Sequence, residues 1–338
     1  MQALPDFDAL VRFCRQAEEC GIESLLTAIG FHRPDPIALA SALGMLTTRI
    51  KFMVAVRSGL ICPTAYVQQV NTVAALTGGR ICLNIVAGHT PAEQAAYGDF
   101  LPHDERYART DEFLAVCNAL WHGDTPASFD GKYFRIENAK LNLPFVNDEG
   151  RRAPEIFIGG ASAQAAELTI RHGQCLWILP DRTDKLRAHI APLLAAGVEA
   201  GLLISLHVRP TREEAIQSAH EMLESLGKKP LDVHDKFKKK SDSVAWRSAY
   251  ELADSEWITD TLWTGAVPYL GAPAIALVGS PDDVASAILD YRRIGITQYL
   301  FMGWPDDQEM AIFARDVLPI VRRREAEEAA LVREGSVA

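Results

Sequence analysis

Seven short runs along the chain are apolar at nearly consecutive positions: 24–29 (SLLTAI), 50–56 (IKFMVAV), 81–87 (ICLNIVA), 155–160 (EIFIGG), 174–179 (QCLWIL), 202–208 (LLISLHV) and 298–303 (QYLFMG). Parallel strands covered on both faces read this way, because neither face can carry polar side chains. Helical spacing fills the intervals. From Phe7 to Cys20 one stripe holds Leu10, Phe13, Cys14 and Ala17; Pro36 to Leu46 and Pro63 to Leu76 follow, the latter with proline near its start. Further helices are predicted over 104–121, 162–172, 184–196, 212–226, 281–294 and 306–324. Gly21, Gly173 and Gly295 stand where left-handed helix stops are expected. The alternation predicts an α/β chain, a TIM-type (β/α)8 barrel with insertions rather than an open sheet. Such a barrel needs an eighth strand. The chain opens directly on a helix, so the first strand is expected upstream of its start, or another segment takes that place.

Two stretches interrupt the rhythm. Residues 122–153 contain a hairpin pattern, FDGKYFRIENAKL, with Asp130-Gly131 as its turn. Residues 227–273 form a longer insertion that begins with the basic run KKPLDVHDKFKKK. It reads as a solvated loop, or as a lid in which Lys228, Lys229, Lys236 and Lys238 help to close over a bound phosphate. Residues 1–325 are read as a single barrel domain, and 326–338 as a charged tail that frays.

Composition narrows the class. Of 338 residues, 48% are hydrophobic and 23% charged, which gives a sizeable core and excludes global disorder. Acidic side chains outnumber basic ones 44 to 34, for a net charge of −10, so neither nucleic acid nor an anionic membrane is the expected partner. Six scattered cysteines without a C-x-x-C pair read as reduced core residues rather than disulfides or zinc ligands. No secretory signal is visible at the start, and the most apolar window, Leu193 to Val208, is too short to cross a bilayer. A soluble, cytoplasmic protein is expected. No P-loop, G-x-G-x-x-G fingerprint, H-E-x-x-H or nucleophile elbow occurs, and no metal site is expected.

Three local patterns carry candidate chemistry. A strand runs through Gly159, Gly160 and Ala161 into a helix at Ser162, where outward N–H groups and a hydroxyl suit a phosphate. In His103-Asp104-Glu105-Arg106-Tyr107, Asp104 is read as an N-cap, with the His103 imidazole and the Tyr107 phenol on one side of the helix. At Ala55-Val56-Arg57-Ser58 an apolar strand ends in Arg57, either an anion contact or a rim salt bridge.

Together these segments resemble the bacterial luciferase-like flavin monooxygenases, and within them the alkanesulfonate monooxygenase branch. The resemblance spans nearly the whole chain: KFMVAVRSGLICPT, GGRICLNIVAG, HDERYARTDEFL, FDGKYFRIENAKL, IFIGGASAQAAEL, SDSV, LWTG and ALVGSPDDVASAILDYRRIGI fall in the family's order. It implies a barrel that takes reduced FMN from a separate NAD(P)H-dependent FMN reductase and uses O2 to oxygenate a small organic substrate. It also implies a homodimer or homotetramer, for which Met45, Val67, Val70 and Val73 are candidate contacts. Other readings of the same barrel are a deazaflavin-dependent oxidoreductase and a flavin-binding protein without turnover.

Residue by residue, the resemblance places Gly160, Ala161 and Ser162 at the phosphate, and His103 and Tyr107 along the flavin and its phosphate. Asn84 and Val86 flank the ring, and Ala87 replaces the family's usual threonine. The substrate side departs from the branch. Ser205 and Leu270 stand where two arginines are usual, Trp304-Pro305-Asp306 replaces Tyr-Pro-His, and Arg33 replaces a cysteine; His207 is retained. His207 is the expected catalytic proton carrier, since an unperturbed imidazole titrates near ~6.5. Arg33, Arg57, Ser205, Leu270, Trp304 and Asp306 are the expected substrate contacts. Without paired guanidinium donors a sulfonate is disfavoured, and a neutral or cationic substrate with an apolar portion is expected.

Overall fold

A computed structural model describes residues 6–88, 90–226 and 243–335. The described residues up to Trp177, with Ser243 and Val244, form one compact unit, and the remainder form a second.

In the first unit the order is α1 (Phe7–Glu19), β1 (Ser24–Thr27), α2 (Pro36–Gly44), β2 (Lys51–Val56), α3 (Pro63–Thr77), β3 (Ile81–Val86), α4 (Pro91–Ala96), α5 (His103–His122), β4 (Ala127–Asp130), β5 (Arg135–Ala139), β6 (Ile156–Gly159), α6 (Ala163–His172) and β7 (Cys175–Ile178). Strands β1, β2, β3, β6 and β7 pair in that order, all parallel; Val54 faces Leu83, Asn84 faces Phe157 and Gly159 faces Trp177. β2, β3 and β7 are buried almost throughout, as the continuous apolar runs require. β4 and β5 form the expected antiparallel hairpin, but its turn is the four residues 131–134, closed by the Gly131 N–H donating to the Phe134 carbonyl.

The second unit contains α7 (Thr183–Ala195), β8 (Glu199–Val208), α8 (Arg212–Ser225), α9 (Val244–Leu252), β9 (Leu262–Trp263), α10 (Val267–Leu270), β10 (Ala276–Gly279), α11 (Pro281–Arg293), β11 (Ile296–Gly303), α12 (Asp306–Ile312) and, after a π-helical turn at Phe313–Val317, α13 (Leu318–Gly335). β8 is flanked on its two edges by β10 and β11, both parallel to it. All seven expected strands are present. β10 is an eighth parallel strand that the periodicity did not predict. The mixed α/β class with a mostly parallel sheet and alternating helices therefore stands.

Several local expectations change. Helix α5 begins at His103 with Pro102 at the cap position, so Asp104 is no N-cap; with Glu105 it lies in the first turn, where acidic groups meet the positive helix end. Gly21 and Gly295 are left-handed at φ +71° and +109°, whereas Gly173 is extended at φ −107° because the chain leads straight into β7. Val67, Val70 and Val73 are buried inside the first unit, so of the four proposed contact residues only Met45 is exposed. Cys14, Cys82, Cys117 and Cys175 are core residues, but Cys20 is half-buried and Cys62 exposed; all six thiols are free. No helix among the described residues is long and apolar enough to cross a membrane. Lys228, Lys229, Lys236 and Lys238 lie outside the described residues.

The amino-terminal edge of the first unit's strands is held by two charged groups. Glu18, near the end of α1, accepts from the backbone N–H groups of Thr48 (2.7 Å), Arg49 (2.5 Å) and Ile50 (3.0 Å), fixing the chain as it enters β2. Arg80 donates to the carbonyls of Gly44 (2.6 Å), Ile50 (2.8 Å) and Thr77 (2.9 Å), collecting the unsatisfied ends of α2 and α3. Burial pushes the Glu18 carboxyl up, but the three N–H bonds outweigh it and bring it down to about 2. A carboxylate lowered on folding stabilises above its ordinary value and loses that contribution as pH falls. Glu18→Ala should cost about 1–2 kcal/mol at pH 7, given its partial solvent screening. Urea unfolding should show the gap closing as pH drops from about 4.5 towards 2.

Candidate functional site

In the first unit, unpartnered polar groups gather at the carboxyl ends of the parallel strands. Asn84, on β3, is buried with its side-chain oxygen lacking a donor, and Trp177, on β7, is buried with its indole N–H lacking an acceptor. Trp177 stacks on Phe157 of β6 with ring centres 5.4 Å apart. Neither atom finds a partner among the described residues, which is costly unless a ligand supplies one. Ala87 and Val86 follow Asn84, and the Ala87 carbonyl accepts from Gln94 Nε2 (3.0 Å) and Arg106 Nε (2.9 Å), anchoring the loop after β3.

Between β6 and α6 the chain passes through Gly160, Ala161 and Ser162. Ser162 caps α6, its Oγ accepting from the Ala165 N–H at 3.2 Å, which leaves its own hydrogen free to donate. A Cβ on Gly160 would sit 2.9 Å from the Tyr107 hydroxyl and 2.7 Å from Ala165 Cβ, so only glycine lets this phenol approach the turn. His103 lies one helical turn before Tyr107, ring centres 4.9 Å apart, and its Nδ1 is 2.9 Å from Asp104 Oδ1. The structure thus brings Tyr107, Gly160 and the α6 start together, with His103 beside Tyr107.

Arg57 ends β2. It is buried, and its Nη2 donates to Glu93 Oε2 of α4 at 2.7 Å. Its guanidinium lies 5.6 Å from the centre of the Tyr97 ring, and Nε and Nη1 have no acceptor. Arg33 is exposed on the loop after β1, close to Gly30, which also borders Glu93.

In the second unit, His207 lies on β8 with 1% of its surface exposed and neither ring nitrogen hydrogen-bonded. Its Nδ1 is 3.7 Å from Glu309 Oε1, beyond hydrogen-bond reach. Glu309, on α12, is fully engaged elsewhere: Oε1 takes Arg209 Nη1 at 2.6 Å and Oε2 takes the Val208 N–H at 3.0 Å. Ser205 is buried and donates to the Pro273 carbonyl (3.0 Å). Leu270 and Trp304 pack against the apolar cluster around Trp263, and Asp306 Oδ1 accepts from the Gly303 N–H (2.6 Å).

Sequence reasoning missed Glu93, Tyr97, Trp177, Arg209 and Glu309. Trp177 had a signal, an amphipathic ring at a strand end. Glu93 had none, being joined to Arg57 across 36 positions. No cluster of metal-ligating side chains occurs among the described residues.

Burial, and then the Arg209 charge, push the His207 imidazole down to about 4. With its titration moved below that of a free imidazole, His207 is neutral throughout the physiological range. Unfolded histidine gains a proton near 6.5 that the folded state refuses, so stability falls between about 6.5 and 4 and then levels. His207→Gln should flatten this slope, by up to about 3 kcal/mol across the window. Urea unfolding at pH 6.5 and 4.5 reads the difference; parallel slopes in both proteins would contradict it.

With this geometry in view, the comparisons are specific. A family model described as luciferase-like monooxygenase matches residues 1–298. Among solved structures, EDTA monooxygenase from Chelativorans sp. BNC1 is 22% identical with a TM-score of 0.76, over 94% of this chain and 87% of that one. Riboflavin lyase, solved with modified FMN and riboflavin, is 19% identical with a TM-score of 0.72, over 94% and 85%. An F420-dependent secondary alcohol dehydrogenase is 17% identical with a TM-score of 0.66, over 94% and 96%. At these identities the structures establish a shared fold, whereas the family match covers most of the sequence: the chain belongs to the luciferase-like monooxygenase family.

Proposed function

We propose that this protein is a two-component monooxygenase that takes reduced FMN from a separate NAD(P)H-dependent FMN reductase and oxygenates a small organic substrate with O2. The observation that carries this reading is the strand-end site of the first unit. There the α6 start, the Ser162 hydroxyl and Tyr107 face the same turn, and Asn84 and Trp177 present unanswered polar atoms. These residues fit FMN. The free N–H groups of the first turn of α6, with the Ser162 O–H, would hold its phosphate through the partial positive charge of the helix end. Asn84 Oδ1 would accept a hydrogen bond from the bound group, and the Trp177 N–H would donate one to it. When bound, reduced flavin supplies two electrons and the site of oxygen activation.

The protein's own contribution is binding, orientation and dryness. His207 contributes a neutral imidazole: one nitrogen donates, the other accepts, and neither is spent on the fold. The substrate side supports a compound other than a simple alkanesulfonate. Ser205 and Leu270 bring no positive charge, Ser205 is committed to the Pro273 carbonyl, and Asp306 accepts from the Gly303 N–H at the end of β11. Association into a homodimer or homotetramer and a cytoplasmic location belong to the same reading.

Likeness to the F420-dependent dehydrogenase favours one alternative, hydride transfer with a deazaflavin and no oxygen. Anaerobic titration separates them: reduced FMN should bind more tightly than oxidised FMN, and coupling to a reductase should consume O2 in a substrate-dependent way. Ser162→Ala should weaken reduced FMN by about 0.5–1.5 kcal/mol, one hydrogen bond's net worth. Thermal unfolding without flavin would report the lost helix cap separately. Tight deazaflavin binding with no affinity for FMN would replace this reading.

A further inference from the structure

We propose that Arg57 anchors a carboxylate of the organic substrate, with the aromatic rim of Tyr97 and Phe31 covering the substrate's apolar part. The inference rests on the monooxygenase reading and supplies the substrate class that reading leaves open. It also replaces the expectation of a neutral or cationic compound.

A guanidinium has five N–H groups in one plane, arranged as two forks that share Nη2. Among the described residues Glu93 is the single acceptor of Arg57, through Nη2, while Nε and Nη1 are buried without a partner there. Whichever hydrogen of Nη2 Glu93 takes, the opposite fork keeps two parallel donors. Arg57 is 4% exposed, so water does not satisfy them freely, and a buried donor without an acceptor is destabilising. A side chain held this way is prepared for two coplanar oxygens, the geometry of a carboxylate. A tetrahedral sulfonate would leave its third oxygen without a donor from this fork.

Charge agrees. Arg57 and Glu93 together are neutral, so an added carboxylate needs a further cation nearby. Arg33 supplies one: a Cβ added at Gly30 would lie 4.0 Å from Arg33 Cδ and 3.3 Å from Glu93 Oε1, so the stem of this exposed arginine runs close to the Glu93 carboxylate. The surroundings are aromatic. Tyr97 lies against the guanidinium, and Phe31, 53% exposed, has its ring centre 6.3 Å from that of Tyr97. A carboxylate carrying a flat apolar body matches this arrangement.

Calorimetry on the full-length protein loaded with reduced FMN under anaerobic conditions tests the assignment, with benzoate, benzenesulfonate, benzyl alcohol and benzylamine as probes. Benzoate should bind at least tenfold more tightly than the other three. Arg57→Met should abolish that preference while leaving reduced-FMN affinity within twofold. Since this substitution strands Glu93, the double variant Arg57→Gln with Glu93→Gln, which removes the charge pair together, should give the same result in a stably folded protein. Arg33→Gln should weaken benzoate by a smaller factor, more at low salt than at high. Equal affinity for benzoate and benzylamine, or no benzoate binding, would overturn the proposal. So would loss of reduced-FMN affinity in the double variant, which would assign the fork to the flavin. Failure of the wild-type protein to bind reduced FMN would instead overturn the monooxygenase reading itself.

Discussion

A parallel strand buried on both faces has no side on which to keep a polar group, and this constraint arranges most of what the molecule does. Within β2, β3 and β7 the middle positions are apolar and packed, save for Asn84 two residues before the end of β3, and the other polar side chains are pushed to the ends. At the amino-terminal ends of the first unit they are spent on the fold, with Glu18 and Arg80 closing backbone groups. At the carboxyl ends they are left open: Arg57, Asn84 and Trp177 each keep a polar atom unanswered. The same division separates stability from chemistry in α/β barrels generally.

The second unit solves a different problem. Past Glu199 at its start, β8 carries a histidine and a serine among apolar residues, and each is handled separately. Ser205 is bonded to the loop before β10, whereas His207 is bonded to nothing and is kept neutral by burial and by Arg209. Glu309 does not serve the histidine; it ties the end of β8 to α12 and cancels the Arg209 charge. An imidazole held neutral suits hydrogen bonding more than acid catalysis at neutral pH.

Much of this was legible in the chain. Continuous apolar runs located seven strands, since burial on both faces leaves a direct mark on sequence. β10, Ala276–Gly279, was not located, although it is as long as β1, β6 and β7, which were. The phosphate turn was legible through its glycines and Ser162, whose roles are local. The start of α5 was placed one residue late, because Asp104 is a good cap by type but Pro102 sets the helix entry. What could not be read were pairings across long separations: Glu93 with Arg57, and Glu309 with Arg209 across 100 positions. Such pairs are set by which strand ends become neighbours, and no local pattern records that.

The close approach of Tyr107 to Gly160 ties the fate of two distant positions together. A methyl group at 160 would meet both the phenol oxygen and the side chain of Ala165 inside van der Waals contact. Descendants of this sequence can therefore enlarge position 160 only once position 107 has given up its hydroxyl and Ala165 has become glycine or shifted. Among related chains the two sites should change in concert, with glycine accompanying tyrosine and bulkier residues accompanying a shorter ring or none.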